Sequence, residues 1–384
     1  MCGWLEQAGR ARHRRGGALK VERIDAIPLV IPFSTRSHAP AWRGKDYGGL
    51  ETVLVRVEVS GGLVGWGEAF SYNCQQPVVA AINHMVAPLV LGRDPRHITA
   101  TLHEAQKVLH IYGRYGIANF ALSGVDIALW DIAGKLANSP IGDLLGGLAR
   151  SRIDAYASLF RYGDPQRVAD EAKRMVSAGF RRVKVHTRDV AELRAVRDTV
   201  GPEVPVMIDT NCAWTIAEAH AAAPEIARCN ALWLEEPIFP PEDFASLARF
   251  QDETGIPIAA GENACTAFEF QKIFLARAVR YAQPSVTKVG GITEFRKVAA
   301  LAEVSGVTLA PHSPYFGPGL LATLHLIGSQ PQPSSIEYFC LSLEAKPFGA
   351  ALEPVDGEIA VPTGPGLGLE PDAAVVKDYR VQFD

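Results

Sequence analysis

No C-x-x-C pair occurs among the six cysteines, Cys2, Cys74, Cys212, Cys229, Cys265 and Cys340. That absence excludes a zinc knuckle or a thioredoxin-type redox site and points to reduced thiols in a cytoplasmic chain. No apolar run approaches the roughly 18 to 20 residues that span a bilayer. The Gly- and Arg-rich start carries a twin arginine, Arg14 and Arg15, but Lys20, Glu22, Arg23 and Asp25 interrupt the apolar stretch that a signal peptide needs. Residues 1–20 are therefore expected to be a disordered extension. An excess of one charge is also missing. The 38 Lys and Arg against 42 Asp and Glu give a net charge of −4, with no electrostatic footprint for nucleic acid. With 48% hydrophobic and 21% charged residues, the chain is neither disordered, collagen-like nor a disulfide miniprotein. What is there is 384 residues, enough for two domains or a large barrel with a cap. A small-molecule enzyme is the expectation.

Residues 21–33 and 52–58 have the β-branched, alternating pattern of strands, and Gly61 and Gly62 make a turn before a third strand at 63–70. Between the first two runs lies a polar loop, 34–49, holding Arg36, His38, Trp42, Arg43, Lys45 and Tyr47. Loops this long are commonly lids, and Arg36, His38, Arg43 and Lys45 are candidates for binding an anionic substrate. Helical periodicity follows at 77–90, 98–112 and 117–136. Residues 21–150 thus read as an α+β domain.

After Arg150 the pattern changes. Strand-like runs fall at 154–159, 182–186, 205–209, 231–235, 257–261, 281–288, 307–311 and 335–338, with helix-like segments such as 190–200, 216–227, 244–253, 267–276 and 294–305 between them. Parallel βαβ units have this signature, and eight such strands close into a barrel, expected over 151–340. Reactive side chains stand at or just past the ends of these runs: Lys184 and His186, Asp209, Glu235, Glu262, the stretch from Ser285 to Lys288, His312 and Glu337. The C-terminal rim of a parallel barrel is where active sites form, so residues one βα repeat apart converge on one mouth.

Asp209, Glu235 and Glu262 come from consecutive strands and would repel one another if ionised together. A hard dication resolves that conflict, and three oxygen ligands that leave room for substrate and water suit Mg²⁺. The alternative is that each carboxylate pairs with a rim lysine or caps a helix. Lys184 and His186 stand two residues apart on one strand and share a face, while His312 arrives from the other side. Burial near a cation is expected to push the Lys184 amine down. Glu337 donates a hydrogen bond if it is protonated, and is a rim ion pair if it is not. Removing a proton α to a carboxylate builds a dianionic enediolate, which needs an adjacent cation and hydrogen-bond donors. A Lys or His base beside Mg²⁺ meets that need.

The chain resembles the mandelate racemase-like branch of the mandelate racemase/muconate lactonizing enzyme family, in the enolase superfamily, from about Val21 to the C-terminus. The resemblance is carried by Ala121-Leu-Ser-Gly-Val-Asp-Ile-Ala-Leu-Trp-Asp131, Lys184-Val-His186, Ile208-Asp209-Thr-Asn211, Trp233-Leu-Glu-Glu-Pro237, Gly261-Glu-Asn263, Lys288-Val-Gly-Gly291, Pro311-His312-Ser313 and Ile336-Glu337-Tyr338. It implies a capping domain, a modified (β/α)₇β barrel of the TIM type, and a segment over 341–384 that returns to the cap. It also implies Mg²⁺ on Asp209, Glu235 and Glu262, specificity from the cap loops, Asn211 among the substrate-binding residues, and a homo-oligomer.

Two departures bear on mechanism. The family's two-base members carry Lys-x-Lys where this chain has Lys184-Val-His186, so the base is either residue or His312. The aspartate that usually orients the seventh-strand histidine is replaced by Ser285, which carries no charge and leaves His312 a weaker base. Racemisation needs a competent base and acid on opposite faces of one carbon. Dehydration needs one base for the α-proton and one acid for the leaving hydroxide. The expected reaction is dehydration of an acid sugar to a 2-keto-3-deoxy acid. A racemase, epimerase or cycloisomerase is the alternative, and a lapsed metal- or ligand-binding relic is another.

Overall fold

A computed structural model describes residues 19–35 and 49–383. The loop residues Arg36, His38, Arg43 and Lys45 and most of the expected N-terminal extension lie outside the described residues. Strand β1 (Val21–Ile31) is followed by a short β2 (Phe33–Ser34), then β3 (Leu50–Val59) and β4 (Val64–Ala69). β1, β3 and β4 form an antiparallel sheet in the order β1-β3-β4. This sheet packs on the helix Gly116–Ala137. That helix is long and apolar enough to cross a membrane by length and composition, contrary to the sequence expectation, but 83% of its most apolar window is buried inside the fold. An apolar surface all round marks a core helix.

Eight parallel strands follow: β5 (Arg152–Ser158), β6 (Val183–His186), β7 (Val206–Asp209), β8 (Leu234–Glu235), β9 (Ile258–Ala260), β10 (Tyr281–Ala282), β11 (Thr308–Leu309) and β12 (Ile336–Phe339). Their order is β12-β5-β6-β7-β8-β9-β10-β11, every pairing parallel. A helix follows each of the first seven, from Pro165–Ser177 to Pro318–Gly328, which gives the modified (β/α)₇β barrel. Several of these helices start where a short polar side chain can satisfy the free backbone N–H groups of the first turn. Asp164, Asp189 and Asp243 each accept from one of them, and Thr215 with Glu218 forms a capping box. The seam between β11 and β12 is joined by the hydroxyl of Ser313, which accepts from the Glu337 N–H at 3.1 Å and donates to the Glu337 carbonyl at 2.9 Å.

One expected strand is shorter than its apolar run. The stretch 281–288 stays extended only as far as Ala282, and Ser285 to Lys288 form a turn. Pro284 supplies the reason, because it has no N–H for a sheet ladder.

Below the barrel mouth the interior is filled by Tyr156, Met207, Trp233, Ala259 and Ala310, with Tyr281 packed against them. Side chains two residues apart on a strand share a face. The layer above is accordingly Ser158, Asp209, Glu235, Gly261, Gln283 and His312. Glu262 is one residue out of this phase. Gly261 makes the correction, with φ of +133°, and a Cβ there would lie 2.8 Å from Phe270 Cε1 and 3.1 Å from the Gln283 nitrogen. Only glycine takes that turn without strain.

The motif Ala121 to Asp131 docks the cap on the barrel. Ser123 Oγ accepts from the Gly290 N–H at 2.9 Å, Asp126 Oδ2 accepts from the Thr293 N–H at 3.0 Å, and Trp130 Nε1 donates to Thr293 Oγ1 at 2.9 Å. Asp131, fully buried, accepts from the Trp66 N–H at 2.9 Å and the Leu367 N–H at 2.8 Å and pairs with Lys135 at 2.8 Å. One carboxylate thereby ties a cap strand, the cap helix and the C-terminal segment. That segment returns to the N-terminal strands through β13 (Ser342–Leu343), antiparallel to β2, and through a bridge between Leu29 and Arg380. On its way, β14 (Glu358–Ala360) lies antiparallel to β5.

Two expected outcomes follow. Asp131→Ala leaves two buried N–H groups and a lysine without their acceptor and lowers stability by about 3–5 kcal/mol, read as a fall in the thermal unfolding midpoint. An unchanged midpoint would remove Asp131 from the account. Gly261→Ala places a side chain in a backbone region that costs of order 1–3 kcal/mol and shifts Glu262 out of the mouth. Divalent cation affinity, measured by titration calorimetry, should fall by at least about tenfold, the equivalent of 1.4 kcal/mol.

Candidate active site

Asp209 and Glu235 end the neighbouring strands β7 and β8, paired in register. With Glu262 they offer carboxylate oxygens that all lie within 4.8 Å of one another. Two ligands held at 2.0–2.1 Å from one small divalent cation are at most about 4.2 Å apart, so slight closure suffices to grip an ion. Lys184, with no exposed surface, sits among the acids. Its Nζ is 2.7 Å from Glu235 Oε1, 2.8 Å from Glu337 Oε1 and 3.2 Å from Asp209 Oδ2. The remaining Glu235 oxygen accepts from Trp233 Nε1 at 2.9 Å, and Asp209 Oδ1 accepts from the Asn211 N–H at 2.9 Å.

These contacts set the charge states. Burial pushes Glu235 up, and the like charge of Asp209 pushes it further, well above the usual carboxylate range. Burial would also raise Asp209, but Lys184 and His186 outweigh it and hold that carboxyl well below its ordinary value. Two buried acids this close cannot both ionise beside a single lysine. A dication removes the conflict, and the all-oxygen donor set suits a hard one.

One expectation is corrected here, and one alternative is decided. Burial lowers the Lys184 amine, but Glu235 and Glu337 outweigh it and raise the amine well above its ordinary value. Lys184 is an ammonium ion. Burial raises Glu337, but Lys184 prevails and holds it at about 2. It is an ionised acceptor, taking hydrogen bonds from Ser158 Oγ at 2.6 Å and the Ser313 N–H at 3.3 Å, and not a donor.

The two histidines flank the trio. His186 Nε2 is 3.1 Å from Asp209 Oδ2, and its Nδ1 is 2.6 Å from the Leu159 carbonyl. A carbonyl only accepts, so Nδ1 donates to it, and Nε2 faces the Asp209 carboxylate. His312 Nε2 is 3.0 Å from Glu262 Oε2 at the opposite end of the trio. Burial pushes His312 down to about 3, so its ring is neutral near pH 7. Ser285 does not orient it directly. Its hydroxyl meets that of Tyr315, which lies 3.2 Å from His312 Nδ1.

Asn211 borders the mouth with φ of +48°, its Oδ1 accepting from Arg161 Nη2 at 2.5 Å. The cap reaches the same rim. Tyr72 donates to the Pro314 carbonyl at 2.6 Å, beside His312, and Lys288 Nζ lies 4.7 Å from the Phe70 ring centre and 3.4 Å from Asn263 Oδ1. Burial and the nearby Glu262 push Glu236 up to about 8, where Asn263 and Cys212 donate to it. Sequence reasoning missed Tyr315 and Arg161. Each stands three residues past a rim residue, His312 or Ser158, in a loop whose geometry follows no period.

The family described as Enolase C-terminal domain-like matches residues 167–375, and the Mandelate racemase / muconate lactonizing enzyme, N-terminal domain matches 26–146. Arabinonate dehydratase of Saccharolobus solfataricus is 34% identical over 342 residues, covering 86% of this chain and 91% of its own. D-galactarolactone cycloisomerase of Agrobacterium fabrum is also 34% identical, over 353 residues, with the same coverage of 86% and 91%. A crystal structure of a racemase from Streptomyces coelicolor with bound magnesium superposes with a TM-score of 0.84 at 30% identity, covering 94% of this chain and 100% of that one. With both domains matched in order and the acid trio at the barrel mouth, the chain belongs to the mandelate racemase/muconate lactonizing enzyme family of the enolase superfamily.

Proposed function

We propose that the chain is a Mg²⁺-dependent lyase that removes the α-proton of a carboxylate substrate and dehydrates an acid sugar to a 2-keto-3-deoxy acid. One observation carries this reading: a trio of converging acids with an imidazole at each end, His186 on Asp209 and His312 on Glu262. Asp209, Glu235 and Glu262 would hold Mg²⁺. When bound, it supplies the positive charge that an enediolate requires and orients the substrate carboxylate.

The protein's own groups divide the remaining work. His186 Nε2 takes the α-proton, since its Nδ1 proton is committed to the Leu159 carbonyl. Lys184 stays an ammonium ion and offsets the charge of Glu235 and Glu337 while the substrate gains negative charge. His312, on the other side, hydrogen-bonds the departing β-hydroxyl, and the α-proton taken up by His186 balances the hydroxide that leaves, so that the net loss is one water. Asn211 and the cations of the loop containing Arg36, His38, Arg43 and Lys45 hold the substrate's carboxylate and hydroxyls. The resemblance to arabinonate dehydratase favours loss of water. The equal identity of D-galactarolactone cycloisomerase supports a second reading, in which the enolate is reprotonated.

Incubation with Mg²⁺ and a library of acid sugars and their lactones in deuterated water separates the two. Keto-acid formation identifies the dehydratase, and α-deuterium uptake without loss of water identifies the isomerase. Silence across the library would leave the binding relic. Glu235→Gln should weaken Mg²⁺ binding and abolish turnover, and full activity after EDTA treatment would contradict the metal assignment. His186→Asn should cut α-proton exchange by about 10²–10⁴-fold, while His312→Asn should spare exchange and cut product formation. The reverse pattern would exchange the two roles.

A further inference from the structure

A buried carboxyl of the cap reaches the barrel at the far end of the loop that carries His312. Glu68, on β4, is 4% exposed. Its Oε1 accepts from Thr52 Oγ1, on the neighbouring strand β3, at 2.8 Å, and its Oε2 accepts from the Gly319 N–H at 2.8 Å. Gly319 lies in the first turn of the helix Pro318–Gly328, where backbone N–H groups have no partner within the helix. The residue that opens this helix, Gly317, has no side chain with which to supply one. Glu68 does so from another domain. Its approach is close because nothing stands in the way: a Cβ on Gly317 would lie 3.1 Å from Glu68 Oε2, and one on Gly319 would lie 3.0 Å from it and 2.9 Å from Tyr315 Cδ2.

Glu68, Phe70 and Tyr72, each two residues from the next, all meet the barrel. The Phe70 N–H donates to the Thr287 carbonyl at 3.3 Å, and Tyr72 Oη donates to the Pro314 carbonyl at 2.6 Å. The loop between β11 and the helix Pro318–Gly328 is thus held from the cap at Pro314 and again at Gly319, while Ser313 ties it to Glu337 on β12. His312 stands at the start of this loop. For adhesion of cap to barrel an apolar side chain would serve, since a buried carboxyl loses hydration that only its hydrogen bonds offset. What the carboxyl adds is direction.

We propose that Glu68 is a positioning residue: by accepting from the first turn of the helix Pro318–Gly328 it fixes, from the cap, the loop that sets His312 against Glu262. The consequence for turnover rests on the function proposed above. The tie between cap and loop does not. Glu68 acts through this loop alone, its two partners being Thr52 and Gly319 and neither belonging to the acid trio.

The test uses full-length, Mg²⁺-loaded protein in the wild type, Glu68→Leu, Glu68→Gln and Thr52→Val. Leucine removes both acceptors. Glutamine keeps both contacts, its amide oxygen accepting from Gly319 and its NH₂ donating to the Thr52 hydroxyl. Valine removes the Thr52 donor, leaves Glu68 in place, and serves if Glu68→Leu does not fold. In hydrogen exchange read by mass spectrometry, the peptide spanning 313–321 should exchange about tenfold faster in Glu68→Leu, the scale of one lost buried hydrogen bond. Thr52→Val should move it less and Glu68→Gln not at all, with Mg²⁺ affinity unchanged throughout. With an acid sugar that the wild type converts, Glu68→Leu should lower kcat about 10–100-fold, as a displacement near 1 Å does, with KM within about twofold and α-proton exchange retained. Glu68→Gln should restore kcat. Unchanged exchange at 313–321 in both Glu68→Leu and Thr52→Val, a loss of kcat shared by Glu68→Gln, or a loss confined to KM overturns the proposal. If the wild type converts no acid sugar, the proposed function fails, while exchange at 313–321 still decides whether Glu68 ties the loop.

Discussion

Mutual repulsion among buried carboxylates is the constraint around which the barrel mouth is organised. Asp209, Glu235 and Glu337 are each buried to within 1% of completely, and Glu262 adjoins them. In a medium that screens poorly, such a group survives only with compensating charge or protonation. Lys184 is placed to touch three of the four, and the two histidines touch Asp209 and Glu262. One lysine does not balance the set. The residual negative charge, on an all-oxygen donor set, suits a hard dication.

Precision at this mouth comes from the layers beneath it. Tyr156 meets Trp233 edge-on and Trp233 meets Tyr281 at 4.8 Å, giving a rigid floor of aromatic rings. The same Trp233 donates to Glu235 two residues on, so the floor packing also aims a ligand. The third acid is aimed differently, by a backbone turn at Gly261 that shifts the phase of its strand by one residue. The site therefore depends on one alternation rule obeyed twice and broken once.

The cap contributes by closing over the rim with few but specific contacts. Ser123, Asp126 and Trp130 fall on one face of their helix, and all three bond to the segment Gly290–Thr293 just past Lys288. The peptide of Lys288 itself is held by Asn119 at 2.6 Å. A helix that belongs to the cap thus fixes the backbone of a barrel loop, while its neighbour Phe70 covers the lysine side chain.

Strand periodicity, rim spacing and residue chemistry were enough to give an eight-stranded barrel, the acid trio and the flanking Lys184, His186 and His312, because a parallel barrel turns a regular interval of sequence into convergence in space. Protonation states were beyond reach, since they depend on which charges lie within a few ångströms. Lys184 came out opposite to expectation, and the ion-pair reading of Glu337 prevailed, once their mutual contact was known. Tyr315 was likewise invisible. Its hydroxyl reaches His312 through loop geometry and the packing of Gly319, neither of which leaves a period in the chain. Sequence alone thus determined what chemistry gathers at the mouth. Only the tertiary structure decided which groups hold protons there, because that is settled by distance and burial and not by order along the chain.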